Sequence, residues 1–146
     1  MSIDPKVKQE LEHGFAGESM ANRRYLFFAR KAEEEINFAP SAEVAELLKE
    51  IAELFRETAE EETAHAYAHL VAMGGIGDTL QNLQTAFEGE TYEYTKMYPA
   101  SAEAARAAGR EDIARQFEST ARAERRHAAR YERTIQRLKE ALERAK

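Results

Sequence analysis

The sequence predicts an all-α protein, a bundle of four long helices within one domain over residues 1–146. Two observations carry this prediction. Apolar residues recur every three or four positions along nearly the whole chain, which is the spacing of one helix face. Charged residues make up 33% of the chain, more than the roughly 25% usual for globular domains. Glu, Ala, Arg and Leu dominate, and all four favour helices.

The first predicted helix pair, A and B, spans about residues 5–73. Asp4 is the expected N-cap of helix A, with Pro5 at the first helical position. Ser41 is expected to cap helix B after a short turn. Because a glycine-rich stretch then ends the helical pattern, residues 74–78 are interpreted as a linker.

The second pair, C and D, spans about residues 79–144. Asp78 and Gln81 have the spacing of a capping box at the start of helix C. Pro99 is expected to kink or interrupt helix C, because proline lacks the backbone N–H that a helix interior needs. Gly109 marks the break before helix D, which runs almost to the end of the sequence.

Acidic and imidazole side chains interrupt the apolar faces of all four helices. Helices B and D each carry a Glu-x-x-His motif in phase with the apolar stripe, and helices A and C each carry a glutamate there. These residues are Glu18, Glu62, His65, Glu90, Glu124 and His127. Such groups are costly to take out of water unless a charged or hydrogen-bonding partner meets them.

The second half of the chain repeats the first. Residues 15–19 read FAGES and residues 87–91 read FEGET, while the two Glu-x-x-His motifs occupy matching places in helices B and D. The halves differ at one informative position, because Glu93 follows Glu90 by three residues where Ala21 follows Glu18. At that spacing Glu90 and Glu93 share a helix face.

The charges predict a site for two metal ions. Five glutamates would meet at the centre, and the stripes contain no lysine or arginine as counter-ion. Two divalent ions would supply the positive charge and satisfy the oxygen and nitrogen lone pairs. Carboxylates with one imidazole per metal suit iron or manganese better than structural zinc. One Glu from each of two helices, with Glu-x-x-His from the other two, is the arrangement of ferritin-like di-iron proteins.

Plainer interpretations compete with this one. A single Glu-x-x-His in a Glu-rich helix usually lies on a solvated face, but two in phase with apolar stripes favour a metal site. Glu61 is an alternative to Glu62, although the stripe passes through Glu62. His69 is expected to pack by ordinary hydrogen bonding, with a place beside the ligands as the alternative, and His13 is expected at the surface. The arginines of residues 122–133 are interpreted as a solvated face.

Composition excludes several classes of function. The net charge of −6 argues against nucleic acid or an anionic membrane as the main partner. The absence of cysteine removes disulfides, thiol nucleophiles and iron–sulfur clusters. No signal-like segment or long apolar run is present, so a cytoplasmic protein is expected.

The motifs together resemble the rubrerythrin family. The matching segments are FAGESMANRRY at residues 15–25, ETAH at 62–65, GETYEYTKMYP at 89–99 and AERRH at 123–127. The third segment is highly specific, and the likeness covers nearly the whole chain. Within that family the chain resembles short erythrins such as sulerythrin, because no cysteine is available to hold the iron of a C-terminal rubredoxin domain, and such a domain is not expected.

The resemblance implies a peroxidase that reduces hydrogen peroxide to water at two iron ions, with an external electron donor such as a rubredoxin. Mixed iron–zinc or manganese occupancy stays open. The alternative function is that of a ferroxidase, iron-handling or oxygen-reducing di-iron protein. A third hypothesis is a metal-free helical module that binds other proteins. The implied ligands are Glu18, Glu62, His65, Glu90, Glu93, Glu124 and His127.

The resemblance also implies roles for individual residues. Glu62 and Glu124 would bridge the metals, whereas Glu18 and Glu90 would bind one metal each and His127 would bind the second iron. Glu93 and His65 would exchange on the first iron, since an added carboxylate stabilises the more highly charged oxidised state. Tyr25 and Tyr98 match tyrosines that hydrogen-bond to ligand carboxylates.

The linker is short for a bundle in which helices B and C run parallel. Eight residues separate His65 from Met73 and eleven separate Thr79 from Glu90, which at about 1.5 Å per residue places the helix ends roughly 28 Å apart. Six steps of extended chain span only about 21 Å. The sequence therefore predicts a domain-swapped homodimer, and fraying of the helix ends is the alternative.

Overall fold

The computed structural model describes residues 3–145, and every regular element in that range is helical. The elements are α1 (Pro5–Ile36), α2 (Ala42–Ala72), α3 (Thr79–Tyr92), a π-helical segment (Glu93–Met97), α4 (Tyr98–Ala107) and α5 (Glu111–Arg144). The predicted all-α class is therefore confirmed, with helix ends within a residue or two of the expected positions. No helix among the described residues combines the length and the apolar content needed to cross a membrane.

The chain divides into two compact units, Met1–Ile76 and Gly77–Lys146. The division falls inside the predicted linker over residues 74–78. The prediction that the whole chain forms one ferritin-like domain, and the prediction of a domain swap, both stay predictions.

In the first unit, α1 and α2 form an antiparallel pair with alanines at their contact. Ala29, Ala32 and Ala52 are buried together, and Leu48 and Phe55 pack against them. Small side chains on both helices let the two backbones approach closely. The caps are those expected, because Asp4 accepts hydrogen bonds from the N–H groups of residues 6 and 7, and Ser41 accepts one from residue 44.

In the second unit, α5 packs against both α3 and α4. The buried residues of this unit are Ala102, Ala114, Ala128 and Ile135. The predicted capping box of Asp78 and Gln81 is present at the start of α3. Gly109 adopts a φ of 73° in the turn between α4 and α5, a conformation that favours glycine.

The break expected at Pro99 takes the form of a π-helical segment and not a loop. The chain stays helical from α3 through Glu93–Met97 into α4, and Pro99 lies in the first turn of α4. The Tyr98 N–H donates to the Glu93 carbonyl, five residues earlier. Proline is tolerated in a first turn because its missing N–H is not needed there.

Candidate metal centre

Three of the predicted ligands form a cluster in the first unit. Glu18 of α1 meets Glu62 and His65 of α2, and ligand-capable atoms of the three residues lie within 4.8 Å of one another. Nδ1 of His65 is 3.1 Å from Oε2 of Glu62 and 3.7 Å from Oε2 of Glu18. These residues are called the first cluster below.

The second unit contains a matching cluster. Glu90 of α3 meets Glu124 and His127 of α5 within the same 4.8 Å limit. Nδ1 of His127 is 2.8 Å from Oε2 of Glu124 and 3.4 Å from Oε2 of Glu90. The internal repeat in the sequence therefore appears as two similar constellations, each with two carboxylates and one imidazole. These residues are called the second cluster.

Helix geometry explains how each cluster forms. Residues three apart lie on the same face of a helix, so each Glu-x-x-His motif presents both side chains together, and the lone glutamate comes from the neighbouring helix. Beside the first cluster, the Asn22 amide donates to the Ala59 carbonyl at 2.7 Å and to the Thr63 hydroxyl at 2.9 Å. These bonds tie α1 to α2 next to the ligands.

Electrostatics in the first cluster favour a shared proton. A hydrogen bond with Glu62 raises the pKa of Glu18, with burial as a further cause, whereas the same hydrogen bond lowers the pKa of Glu62. The pKa of His65 is raised, chiefly by its hydrogen bond to Glu62. Two neighbouring carboxyl groups resist simultaneous ionisation, and a cation bound between them would offset that repulsion.

The second cluster contains an oxygen without a hydrogen bond. Oε2 of Glu90 is buried and accepts none within the described residues. Burial raises the pKa of Glu90, and the neighbouring Glu124 raises it further. A buried acceptor left without a partner costs free energy. A metal ion on that oxygen would satisfy it, so the donor set fits one hard divalent cation per cluster.

Glu93 lies outside both clusters. It is half-buried at the first position of the π-helical segment. Burial raises the pKa of Tyr98, and the negative charge of Glu93 is the next cause. Glu93 is therefore near the Tyr98 hydroxyl, while its predicted role as an exchanging ligand stays a prediction.

The two predicted tyrosines are held by aromatic packing. Tyr25 lies 6.1 Å from Phe55 and 6.4 Å from Phe28 between ring centroids, and Tyr98 lies 5.9 Å from Phe117. Neither hydroxyl forms a hydrogen bond to a protein group within residues 3–145. Their predicted bonds to ligand carboxylates stay predictions as well.

The π-helical segment accounts for a difference of one residue in the glutamate-to-tyrosine spacing between the two halves of the chain. Tyr25 follows Glu18 by seven residues, whereas Tyr98 follows Glu90 by eight. The π turn accommodates the additional residue, because one of its turns holds more residues than an α turn. Four residues beyond each tyrosine stands a buried alanine, 0% exposed in α1 and 3% exposed in α4. The unequal spacing is visible in the sequence and signals one additional residue in the second half.

The remaining histidines and the alternative glutamate lie away from the clusters. Glu61 and His13 are exposed, so Glu62 and not Glu61 reaches the first cluster. His69 packs against α1 at Gly14, where an added Cβ would lie 3.0 Å from both Cδ2 and Nε2 of the imidazole. This contact agrees with the predicted packing role of His69, although no hydrogen bond accompanies it among the described residues.

An open groove adjoins the second cluster. Its volume is about 390 Å³, and besides Glu90 and His127 it is lined by Leu83, Arg130, Tyr131 and Thr134. The sequence interpretation placed Arg130 on a solvated face. Arg130 is exposed, yet it also borders the groove. An arginine at the edge of a helix face can be exposed to solvent and also line a groove. The periodicity of the sequence alone did not reveal this groove.

The helical fold and the paired carboxylate–histidine clusters define the class of ferritin-like carboxylate metalloproteins. The rubrerythrin family model matches residues 10–135. The chain therefore belongs to the rubrerythrin family, as the motifs suggested.

Curated relatives agree with the family match. The chain is 37% identical over 139 residues to a rubrerythrin of Porphyromonas gingivalis, covering 86% of this chain and 64% of the relative. It is 36% identical over 139 residues to a rubrerythrin of Nitratidesulfovibrio vulgaris, covering 86% and 67%. Rubrerythrin-1 of Clostridium acetobutylicum is 31% identical over 152 residues, covering 92% and 72%. The chain thus spans about two thirds of the length of these relatives.

Proposed function

We propose that this protein is a di-iron peroxidase, an oxidoreductase that reduces hydrogen peroxide to water with electrons from an external donor. The observation that carries the proposal is the pair of matching clusters, each with two carboxylates and one imidazole. Oε2 of Glu90, which is buried and accepts no hydrogen bond among the described residues, supports it, because a bound cation would satisfy this oxygen. Family membership supports iron as the metal.

Each cluster supplies three of the proposed ligands. The first cluster would hold one iron through Glu18, and the second would hold the other through Glu90. Glu62 and Glu124 would bridge the two ions, and Glu93 would be the seventh ligand. Two iron ions bound in this way would supply the two electrons that cleavage of a peroxide O–O bond requires.

Glu93 and Tyr98 have roles that follow from charge. Exchange of the neutral His65 for the anionic Glu93 on one iron would balance the higher charge of the oxidised ions. Burial and nearby carboxylates raise the pKa of Tyr98, so its hydroxyl stays protonated and can donate a hydrogen bond to a carboxylate ligand. The π-helical segment places Glu93 in a stretch of backbone less regular than an α-helix, which favours such an exchange.

The complete centre requires the two clusters to come together, and we propose that they do so in a domain-swapped homodimer. The support is the shortness of the connection. The end of α2 is closed by hydrogen bonds from the Met73 N–H to the His69 carbonyl and from the Gly75 N–H to the Leu70 carbonyl. Six steps from Met73 to Thr79 then span about 21 Å at most, whereas a crossover within one chain would need roughly 28 Å.

Stopped-flow oxidation of the reduced, iron-loaded protein tests the proposed activity. Peroxide is expected to oxidise the centre much faster than oxygen at equal concentration. Faster reaction with oxygen would contradict the peroxidase and support the ferroxidase or oxygen-reducing alternative. Light scattering of the iron-loaded protein tests the swap separately, since a monomer with a full complement of metal would rule it out.

A further inference from the structure

A row of arginines runs along one face of α5. Successive members are three or four residues apart, so their side chains share a face of the helix, and all are exposed. The row consists of Arg122, Arg126, Arg130, Arg133 and Arg137. Ala128 and Ile135, which are buried, belong to the opposite face of α5.

The arginine row takes no part in the ion pairs that the structure shows over residues 3–145. Other arginines of the second unit form ion pairs, namely Arg106, Arg110 and Arg115 with nearby carboxylates. Within the described residues, no carboxylate lies within ion-pairing distance of the row. Residues 121–139 contain seven basic and two acidic side chains. A strongly positive strip therefore lies on a chain whose net charge is −6.

The arginine row is continuous with the second cluster. Arg130 belongs to the row and also lines the groove that Glu90 and His127 line. Arg126 directly precedes His127 in the sequence. The row therefore lies on the same stretch of α5 as the imidazole proposed to hold iron, so a partner bound along it would be a short distance from the metal centre.

We propose that the arginine row is the docking surface for an acidic electron-carrier protein, a partner required by the proposed peroxidase function on which this inference rests. Each reduced carrier would deliver one electron. Two dockings would restore the two electrons that one peroxide molecule consumes as it takes up two protons and becomes two water molecules. The carrier is oxidised and the metal centre is reduced.

The strength of exposed ion pairs favours a transient partner. Each exposed ion pair is individually weak, and the row contains no large apolar side chain around which a permanent interface could form. Clustered charge instead accelerates encounter with an oppositely charged protein. Redox complexes are typically small and short-lived, which suits a carrier that must leave after each electron.

A second copy of the chain is the main competing occupant. The outward face of α2 carries an acidic row, formed by Glu50, Glu53, Glu57 and Glu60, whose members are exposed. This row is complementary in charge to the arginine row. However, exposed pairs alone give a weak association, so we favour the electron carrier and treat self-association as an outcome of the test.

The test measures binding of zinc-substituted rubredoxin of negative net charge, a redox-silent probe, to the iron-loaded protein by NMR titration. Two double variants are compared with the wild type. The first, Arg126→Gln/Arg133→Gln, removes two arginines of the row and leaves the groove-lining Arg130 intact. The second, Arg23→Gln/Arg30→Gln, is the control and removes the same charge from exposed positions of α1. The first variant is expected to weaken binding about tenfold at low salt and to lose most of the salt dependence. The second is expected to change binding less than twofold. Iron-containing rubredoxin should show the same ranking in its rate of electron transfer.

Three results would overturn the proposal, and a fourth would separate it from the proposed peroxidase activity. Equal weakening in both variants would mean that net charge and not the arginine row matters. Tighter binding of a DNA duplex or of anionic vesicles, lost in Arg126→Gln/Arg133→Gln, would assign the row to a polyanion. Salt-sensitive self-association lost in that variant would assign it to a second copy. Retained rubredoxin binding by a protein that does not react with peroxide would count against the peroxidase and in favour of the docking surface.

Discussion

Oε2 of Glu90 lies 3.4 Å from Nδ1 of His127 and is buried, yet it accepts no hydrogen bond within the described residues. The two side chains come from different helices, α3 and α5, so the unsatisfied oxygen lies where these helices meet. Its equivalent in the first cluster is Glu18, and in each cluster the neighbouring glutamate raises the pKa of this side chain. The two clusters therefore share the same crowding of carboxylates.

Glu90→Gln should abolish most of the stabilisation by metal without harming the metal-free fold. The amide keeps the shape of the side chain but removes the buried charge that a cation would balance. Wild-type protein at a hundredfold excess of iron(II) over Kd should gain about 2.7 kcal/mol, and the variant should gain much less. Thermal melting with and without iron(II) measures the difference. Glu88→Gln, an exposed position on the same helix, is the control and should melt like the wild type.

Glu62→Gln and Glu61→Gln should differ sharply in metal content. Glu62 lies in the first cluster, whereas Glu61 is exposed beside it. The Glu62 variant should bind fewer iron ions per chain, while the Glu61 variant should bind as many as the wild type. Elemental analysis of the purified proteins measures this. Equal loss in both would show that general acidity of α2, and not the cluster, holds metal.

Gly14→Ala should lower the free energy of unfolding when His69 is present and raise it when His69 is replaced by alanine. A Cβ at position 14 would lie 3.0 Å from that ring, so the ring must shift to admit it. In the His69→Ala background the contact is absent, and Gly14→Ala should stabilise the protein by about 0.5–1 kcal/mol through helix propensity. Chemical denaturation of the four proteins in the double-mutant cycle measures the coupling. Equal effects in both backgrounds would contradict the packing role of His69.

The turn between α4 and α5 should depend on pH through Arg106. Its guanidinium bonds to Glu111 at 3.0 Å and to Glu118 at 2.7 Å. The hydrogen bond from Arg106 lowers the pKa of Glu111 below its ordinary value of 4.5. Stabilisation from a lowered carboxyl pKa is present above the ordinary value and disappears as pH falls through the lowered one.

Arg106→Gln should therefore lower the melting temperature by a few degrees at pH 7, with the difference from wild type narrowing below about pH 4. Melting curves across this range provide the measurement. Arg23→Gln, at an exposed position of α1, should show no such trend. A difference that stays constant down to acidic pH would mean that packing by the arginine stem, and not its ion pairs, stabilises the turn.

The sequence predicted the helices and the clusters because both depend on local rules. Asp4 and Asp78 are favourable N-cap residues, and each directly precedes a clear periodic pattern of apolar residues. The starts of α1 and α3 could therefore be predicted from the sequence. Glu62 was preferred to Glu61 because only Glu62 continues the apolar stripe, and the structure places it in the first cluster. These inferences needed spacing alone.

Features that depend on how two helices pack against each other could not be predicted from residue spacing. The groove beside Arg130 exists only once α3 lies against α5, so periodicity assigned this arginine to solvent. The orphaned oxygen of Glu90 likewise depends on which neighbours surround it. The π-helical segment is an intermediate case, because the longer spacing from Glu90 to Tyr98 signalled an additional residue but did not say how the helix would absorb it.

The most direct test of the proposed centre is X-ray absorption spectroscopy of the iron-loaded protein at the iron edge, combined with metal analysis. The account predicts two iron ions per chain, ligands that are oxygen with a minority of nitrogen, and an iron–iron scattering distance of about 3.5–4 Å. Two iron ions per chain without any iron–iron scattering would contradict it, because each cluster would then hold an isolated ion.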